Sequence, residues 1–287
     1  MGQTVILADK IYQSDLPRSA LPAMRVVLTR FNLVLEGFRE VGGIAEDAAF
    51  VAWLERRIQL FQTICLRSLS MQSLLPDAWL LGFDAERREA VAPVLDAIAP
   101  YPWIIPVWQE VRNGRHMNAR GLFADAIASL VKPGCEWIIS SRVDNDDGLS
   151  RLFVEAAADY AAAVVAARPT INDFWLSFPL GAQFSEGNLR LMPQNNNAFL
   201  TRVERVGALP GGKVGTVLQG NHGHVFAKPD VFTAMTRYPM WLQVVHGTNV
   251  SNRMNERLQV LADPEIELRR FGLKKRALDR CSPPKSD

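Results

Sequence analysis

Residues 136–148 have the sequence EWIISSRVDNDDG, in which an apolar run passes directly into an aspartate-rich segment. The apolar part, Glu136–Ser140, predicts a buried strand, because a short continuous apolar run bounded by a polar segment is typical of a strand covered on both faces. The polar part places Asp144, Asp146 and Asp147 within four positions. Ligands of parallel sheets bind beyond the carboxyl ends of the strands, so this junction is the first place to look for chemistry.

Upstream of this junction, apolar strands alternate with helical patterns. The other strands are predicted at Arg25–Thr29, Ala78–Phe83 and Trp103–Val107, and the helices between them at Ala52–Ser70, Glu86–Ile98 and Gly121–Val131. This alternation predicts an α/β fold with a mostly parallel sheet flanked by helices. The strand ends then present Arg30, Asn32 and Asp84 at the same edge as the aspartate-rich segment.

Downstream, the pattern changes to an antiparallel C-terminal extension. An alanine-rich helix is predicted from Leu149 to Ala167, followed by a hairpin of Phe174–Phe184 with Asn188–Met192, a short strand at Leu242–Val245 and a helix at Asn252–Leu261. The second half of the chain is therefore predicted to mix helices with antiparallel strands instead of alternating helices with parallel strands.

Composition and charge exclude several classes of protein. Hydrophobic residues make up 48% of the 287 residues and charged residues 22%, which is ordinary for a folded globular chain. The net charge of +2 is too small for a general nucleic-acid binding field. No signal peptide or membrane-spanning run is recognisable, and three widely spaced cysteines favour a reducing compartment. We therefore expect a cytoplasmic protein with at most peripheral contact to the inner face of the membrane, through its basic C-terminal residues.

The aspartate-rich segment predicts a divalent metal site. If the chain stays extended there, Asp144 and Asp146 share one face with Arg142. Carboxylates this close are unfavourable unless a cation or hydrogen-bond donors neutralise them, and oxygen ligands suit Mg²⁺ or Mn²⁺. A diphosphate is the natural ligand of such an ion.

The same segment has two other interpretations. In the first, it is a simple turn in which Asp147 caps the helix predicted from Leu149. In the second, it is a calcium loop of the EF-hand type, with Asp144, Asp146 and Glu155 at ligand positions one, three and twelve. The calcium-loop interpretation is rejected because Leu149 occupies the position at which an EF-hand loop requires glycine. In addition, a strand rather than a helix precedes the loop.

Further candidates are basic or imidazole side chains near predicted element ends. Four of them, Arg112, Arg115, His116 and Arg120, surround the start of a predicted helix, where backbone N–H groups and arginines favour phosphate. His222 and His224 share a glycine-rich loop, and His246 ends a predicted strand. Residues that pass from a rigid element into a loop are often functional.

The sequence resembles the bacterial putative rhamnosyltransferases, which look like nucleotide-sugar glycosyltransferases of the GT-A fold. The stretches that carry the resemblance are Leu28–Asn32, Trp79–Asp84 and Arg142–Asp147, of which the last is distinctive. The resemblance implies a metal-dependent transferase that moves a sugar such as rhamnose from a nucleoside-diphosphate donor to a glycan or glycolipid hydroxyl, with Mn²⁺ or Mg²⁺ as cofactor.

The resemblance also implies roles for individual residues. Asp144, Asp146 and Asp147 correspond to the DXD metal motif, and His246 to a late histidine that completes the metal shell. Donor-binding roles are implied for Arg30, Asn32, Asp84, Arg115, Arg120 and Arg142, with Asp84 at the nucleobase or ribose. One domain over 1–287 is expected, divided into a nucleotide-sugar half (25–148), an acceptor-side half (149–270) and a basic tail (271–287).

The catalytic base cannot be assigned from the sequence. Many inverting enzymes of this fold carry a later Glu-Asp pair, which is absent after Asp147. The available carboxylates are Asp173, Glu186, Glu204 and Asp230. Two alternative functions stay open: a nucleotidyltransferase, against which the missing glycine- and lysine-containing loop after the first strand argues, and a non-catalytic carbohydrate-binding or scaffold protein.

Overall fold

A computed structural model describes residues 21–34, 47–113, 115–219, 222–228, 230–246 and 257–279. Within these ranges, no helix combines the length and the apolar character needed to cross a membrane. The predicted two-half division of the chain and its C-terminal tail stay predictions.

The strands of the described residues form one large sheet, a smaller sheet and a short hairpin. In chain order they are β1 (Ala23–Arg30), β2 (Ala78–Asp84), β3 (Ile104–Gln109), β4 (Val111–Arg112), β5 (Arg115–His116), β6 (Trp137–Arg142), β7 (Gly148–Leu149), β8 (Asp173–Ser177), β9 (Leu180–Ser185), β10 (Asn188–Pro193), β11 (Thr201–Arg205), β12 (Val231–Thr233) and β13 (Trp241–Val244). The large sheet has the order β12-β8-β11-β6-β1-β2-β3, the smaller sheet has the order β10-β9-β13-β7, and β4 pairs with β5.

Helices cover the large sheet and connect its strands. They are α1 (Asp47–Leu60), which continues through a π-helical segment (Phe61–Cys65) into α2 (Leu66–Ser70), then α3 (Ala92–Ile98), α4 (Ala119–Leu130), α5 (Phe153–Ala167), α6 (Pro264–Arg269) and α7 (Lys275–Asp279). Short 3₁₀ turns occur at Ala85–Arg87, Glu89–Val91, Pro210–Gly212 and His222–Ala227.

The central part of the large sheet is parallel, as the sequence predicts. Strands β6, β1, β2 and β3 run in the same direction, and every residue of β2 and β6 is buried. Continuous apolar strands suit this position because helices cover both faces of the sheet. The mixed α/β fold with a largely parallel sheet is therefore confirmed. Its geometry brings the ends of β1, β2, β3 and β6 to one edge, which positions the candidate site.

The C-terminal elements differ from the predicted arrangement in two places and agree with it in one. The single strand predicted at Phe174–Phe184 is two strands in different sheets, because the segment breaks at Phe178 and Pro179, and proline cannot donate a hydrogen bond to a ladder. The hairpin of β9 with β10 is confirmed, and both turn residues, Glu186 and Gly187, have positive φ. The helix predicted at 252–261 lies partly outside the described residues, and its described part, 257–261, is not helical.

Two predicted helices begin later than the sequence suggests. The helix expected from Glu86 starts with two 3₁₀ turns and becomes α-helical only at Ala92. The helix expected from Leu149 begins at Phe153, because Gly148 and Leu149 pair with β13 instead. The second difference changes the surroundings of the aspartate-rich segment.

The smaller sheet is packed tightly enough to yield a stability prediction. A methyl group on Gly181 would overlap the indole ring of Trp241, which is buried, stacked on Phe199 at 4.8 Å, and donates its Nε1–H to the Phe178 carbonyl at 2.8 Å. Since the ring cannot move away freely, Gly181→Ala is expected to lower the free energy of unfolding by about 2–3 kcal/mol in urea titrations.

Gly121→Ala serves as the control for this prediction. Gly121 is exposed in α4, and a methyl group there would meet no atom within 4 Å. Alanine is the better helix former, so a gain of about 0.5–1 kcal/mol is expected. Equal effects of the two substitutions would contradict the packing argument.

Candidate functional site

The aspartate-rich segment is a tight turn between β6 and β7. The Asp147 N–H donates to the Asp144 carbonyl at 3.2 Å, which closes the turn. The extended conformation assumed in the sequence prediction therefore ends at Val143, and Asp144 and Asp146 occupy different environments. Asp146 is 4% exposed, whereas the Asp144 side chain is 37% exposed.

Asp146 is held by two cationic or imidazole partners from distant parts of the chain. Its Oδ2 lies 2.5 Å from Nη1 of Arg57 and 2.9 Å from Nε2 of His246. All three side chains are at least nine-tenths buried. A buried carboxylate is stable only when it is paired, so Arg57 and His246 account for the burial of Asp146.

The same arginine fixes the next residue of the turn. Arg57 Nη1 also donates to Oδ1 of Asn145 at 3.0 Å, and Asn145 Nδ2 donates to the Phe31 carbonyl at 3.0 Å. The Arg57 guanidinium lies 5.3 Å from the ring of Trp53, one helical turn earlier on α1. The helix that covers the sheet therefore ties the turn to the loop that follows β1.

Asp147 has a structural environment of a different kind. It is 2% exposed, and its Oδ1 accepts the Val244 N–H of β13 at 2.9 Å. Burial, followed by the negative charges of Asp146 and Asp144, raises the pKa of the Asp147 carboxyl well above its ordinary value. The alternative in which Asp147 caps the following helix is wrong, because α5 begins at Phe153 and Asp147 instead binds β13.

Asp144 lies between two arginines at the carboxyl ends of neighbouring strands. Its Oδ1 is 3.6 Å from Nη2 of Arg30 and 3.5 Å from Nη2 of Arg142. Enclosure by the protein opposes ionisation of Asp144, but Arg142 and Arg30 outweigh it and hold the pKa of this carboxyl below its ordinary value. Burial lowers the pKa of Arg142, an effect that its attraction to Asp144 opposes. Both arginines are thus assembled around one carboxylate that solvent can reach.

The turn carries the ligand types of a divalent ion, but among the described residues it does not bring three of them to within 4.8 Å of one another. Asp144 offers an accessible carboxylate, and Asp146 and His246, whose oxygen and imidazole nitrogen are atom types that suit Mn²⁺, are hydrogen-bonded to each other at 2.9 Å. The three aspartates already lie among the guanidinium groups of Arg30, Arg57 and Arg142. The charge of the turn is therefore close to balanced before any ion or substrate binds.

The family to which this chain belongs follows from comparison with the sequence profiles of protein families. The sequence profile of the family described as "Putative rhamnosyl transferase" matches residues 25–258. The chain belongs to this rhamnosyl transferase family. The match includes most of β1, all of β2 and the complete turn at Asp144–Asp147, and it supports a glycosyltransferase activity. No curated protein sequence matches the chain significantly.

Three solved structures are distantly similar to this member of the rhamnosyl transferase family. A 4-diphosphocytidyl-2C-methyl-D-erythritol synthase from Anaerococcus prevotii aligns at 9% identity and a TM-score of 0.32, covering 88% of this chain and 96% of the other. A putative nucleotide-diphospho-sugar transferase from Desulfovibrio desulfuricans aligns at 9% identity and a TM-score of 0.34, covering 78% and 81%. A mannose-6-phosphate isomerase from Helicobacter pylori aligns at 11% identity and a TM-score of 0.27, covering 63% and 71%. Scores this low do not establish a shared fold.

The other predicted donor-binding residues of this rhamnosyl transferase family member fall into two groups. Asn32 and Asp84 are buried neighbours at the ends of β1 and β2, where Asn32 Oδ1 accepts the Asp84 N–H at 3.0 Å. Arg115 and Arg120 are exposed, and the start of α4 is capped by Asn118, whose side chain accepts the Arg120 N–H at 2.8 Å. Donor binding by these four residues stays a prediction.

Three of the four carboxylates considered as catalytic base lie away from the Asp144 turn. Asp173 and Glu204 pair with Arg202 at the amino-terminal edge of β6, and Asp230 precedes β12 near the same edge, where it pairs with Arg168. Glu186 lies in the β9–β10 turn. The catalytic base therefore stays unassigned. The side chains of His222 and His224 lie outside the described part of the chain.

Arg57 is the site residue that the sequence analysis missed. It lies three positions after Leu54 and four before Phe61, both of which are buried in the apolar stripe of the first helix. An arginine on the buried face of an amphipathic helix is a signal for a buried acidic partner. The pattern alone does not indicate which of the acids that partner is.

Proposed function

We propose that this chain is a glycosyltransferase that binds a nucleoside-diphosphate sugar together with Mn²⁺ or Mg²⁺ at the Asp144 turn. The observation that supports this most is the pair Arg30 and Arg142, both within 3.6 Å of the accessible Asp144 carboxylate, at the ligand-binding edge of the parallel sheet. Guanidinium groups bind phosphate oxygens with charge-assisted hydrogen bonds. Asp144, Asp146 and His246 would hold the ion.

The reaction requires charge stabilisation at the leaving group. The bond between the sugar C1 and the diphosphate oxygen breaks, a bond from C1 to an acceptor hydroxyl oxygen forms, and the hydroxyl proton passes to a base that is not assigned. When bound, the divalent ion offsets the charge that develops on the departing diphosphate. Arg30 and Arg142 orient the diphosphate and add further positive charge at its oxygens.

Arg57 keeps this arrangement in place rather than reacting. By pairing with Asp146 and Asn145 it fixes the turn that carries Asp144, so the accessible carboxylate stays beside Arg30 and Arg142. Family membership supports a sugar donor of this class, and rhamnose is the sugar we propose. The acceptor we propose is a glycan or glycolipid hydroxyl.

Turnover distinguishes this function from the two alternatives. Purified protein is incubated with Mn²⁺ and either a panel of nucleoside-diphosphate sugars that includes a rhamnosyl donor or a nucleoside triphosphate with a sugar phosphate, and free nucleoside diphosphate and pyrophosphate are measured. A glycosyltransferase releases nucleoside diphosphate, a nucleotidyltransferase releases pyrophosphate from a nucleoside triphosphate and a sugar phosphate, and a binding protein releases neither. Either of the last two results would contradict the proposal.

Charge balance at the turn predicts that ion and diphosphate bind together. Because arginines already compensate the aspartates, Mg²⁺ alone and nucleoside diphosphate alone are each expected to shift the melting temperature by less than about 1 °C. Together they are expected to raise it by about 4 °C or more, since their charges offset each other. A full shift with diphosphate and EDTA would show that the ion is not needed for binding.

A further inference from the structure

Three metal-binding side chains meet at the ends of β2 and β3, apart from the Asp144 turn. Asp84 ends β2, Glu86 lies in the 3₁₀ turn after it, and His116 ends β5. One carboxylate oxygen from each acid and one ring nitrogen of His116 lie within 4.8 Å of one another. In the sheet order β6-β1-β2, β2 is two strands from β6, which is about 10 Å across the sheet.

The fold brings these residues together through a buried glutamine. β2 and β3 pair in parallel up to Asp84 and Gln109, and Gln109 Nε2 donates to the Met117 carbonyl at 2.6 Å. The Met117 N–H in turn donates to the Glu110 carbonyl at 2.9 Å. These bonds fold the β4–β5 hairpin back over the end of β3, so that His116 reaches Asp84.

Polar atoms around this cluster are buried without partners. Asp84 is 2% exposed and its Oδ1 accepts the Glu86 N–H at 3.1 Å, but no ion pair among the described residues includes Asp84. Asn32 is 6% exposed, and while its Oδ1 accepts the Asp84 N–H, the Nδ2 of the same amide is buried with no hydrogen-bond partner in the described structure. The Nδ1 atom of His116 is also buried with no hydrogen-bond partner in the described structure.

The buried Asp84 carboxylate and the unpartnered His116 nitrogen favour a positively charged ligand, and the unpartnered Asn32 N–H favours an oxygen bound to that ligand. A buried carboxylate without a cation is costly, and neighbouring buried polar atoms without partners mark the position of an ion or of ligand atoms. Two carboxylates and an imidazole are the ligand types of Zn²⁺ and Mn²⁺, whereas Mg²⁺ prefers oxygen alone. Three protein ligands leave a coordination position open.

We propose that Asp84, Glu86 and His116 bind a divalent transition-metal ion. The Asn32 amide beside Asp84 supplies a hydrogen-bond donor for a water or an anionic oxygen on the open position of that ion. The proposal replaces, for Asp84, the nucleoside contact that the resemblance implies. It does not depend on the proposed function, because none of its three ligands belongs to the Asp144 turn.

Zinc affinity of matched variants tests the proposal. Tag-free protein is titrated with Zn²⁺ in competition with a chromophoric chelator, for the wild type, Glu86→Gln, His116→Asn and Glu89→Gln. Glu86 and Glu89 are both exposed and both lie in the 3₁₀ turns after β2, but only Glu86 belongs to the cluster. Glu86→Gln and His116→Asn are expected to weaken Zn²⁺ binding at least tenfold, and Glu89→Gln to leave it unchanged.

A second measurement separates the ion from a nucleoside at the same place. Binding of nucleoside diphosphate is measured in EDTA for the wild type and Glu86→Gln. If Zn²⁺ binding is equal in the two glutamate variants, or if the wild type binds no Zn²⁺ at micromolar concentration, the proposal is overturned. Loss of metal-free nucleotide binding in Glu86→Gln, with Zn²⁺ binding intact, would overturn it in favour of a nucleoside contact.

Discussion

Asp146→Asn is expected to lower the free energy of unfolding by about 3–5 kcal/mol, whereas Asp147→Asn is expected to leave it unchanged or raise it. The two residues are adjacent and both are buried, but their surroundings are opposite. Asp146 pairs with Arg57 at 2.5 Å and with His246 at 2.9 Å. Removing its charge leaves a buried guanidinium without its counter-ion, which is the costly case for a buried ion pair.

Asp147 has no such partner to lose among the described residues. Burial and the neighbouring carboxylates raise its pKa, so ionised Asp147 works against folding at neutral pH. The asparagine retains an Oδ1 that can accept the Val244 N–H. Asp147→Asn is therefore not expected to lower the free energy of unfolding, in contrast to Asp146→Asn.

The pH dependence of Asp147→Asn follows from the same shift. A carboxyl whose pKa is higher in the folded than in the unfolded protein binds more protons when folded, so its contribution to stability falls as pH rises from the ordinary value of 3.8 through the folded value. Asp147→Asn lacks this loss, and its stability relative to the wild type should increase with pH over that window. Urea titrations at pH 5 and pH 8 measure it. A large destabilisation by Asp147→Asn at pH 8 would contradict the assignment.

Many of the residues at the ligand-binding edge of the large sheet could be predicted from the sequence, because their positions depend on local patterns. Continuous apolar runs define β1, β2 and β6, and parallel strands place their ends together whatever the detailed packing. This is why Arg30, Arg142 and Asp144 are expected at one edge, and the structure places both guanidinium groups within 3.6 Å of the Asp144 carboxylate. The prediction required no knowledge of side-chain contacts.

The interior of the turn could not be predicted in this way. Whether Asp146 is buried depends on Arg57, from a helix that covers the sheet, and on His246, 100 positions later in the chain. Whether Asp147 caps a helix or binds β13 depends on the pairing of β7 with β13, which no local pattern specifies. Period-two alternation placed Asp144 and Asp146 on one face, but the bond from Asp147 N–H to the Asp144 carbonyl ends the extended conformation.

Asp144→Asn is expected to reduce the rate of nucleoside-diphosphate release at least about a hundredfold while changing the free energy of unfolding by less than about 1 kcal/mol. The Asp144 side chain is 37% exposed and its ion pairs with Arg30 and Arg142 are longer than 3.4 Å, so its contribution to folding is small. In the proposed function it contributes instead to holding the ion that offsets charge on the leaving diphosphate. The two substitutions are therefore expected to differ. Asp144→Asn affects turnover alone, whereas Asp146→Asn affects folding as well.

Asp77→Asn is the matched control for this measurement. The Asp77 side chain is 41% exposed and pairs with Arg25 at 2.8 Å, so it resembles Asp144 in exposure and in having an arginine partner. It precedes β2, however, and so lies at the edge of the sheet opposite to the candidate site. Asp77→Asn should keep the full rate of diphosphate release with saturating donor and Mn²⁺. If Asp144→Asn also retains its rate to within about threefold, Asp144 does not hold the ion, and the charge on the leaving group must be offset by Arg30 and Arg142 alone.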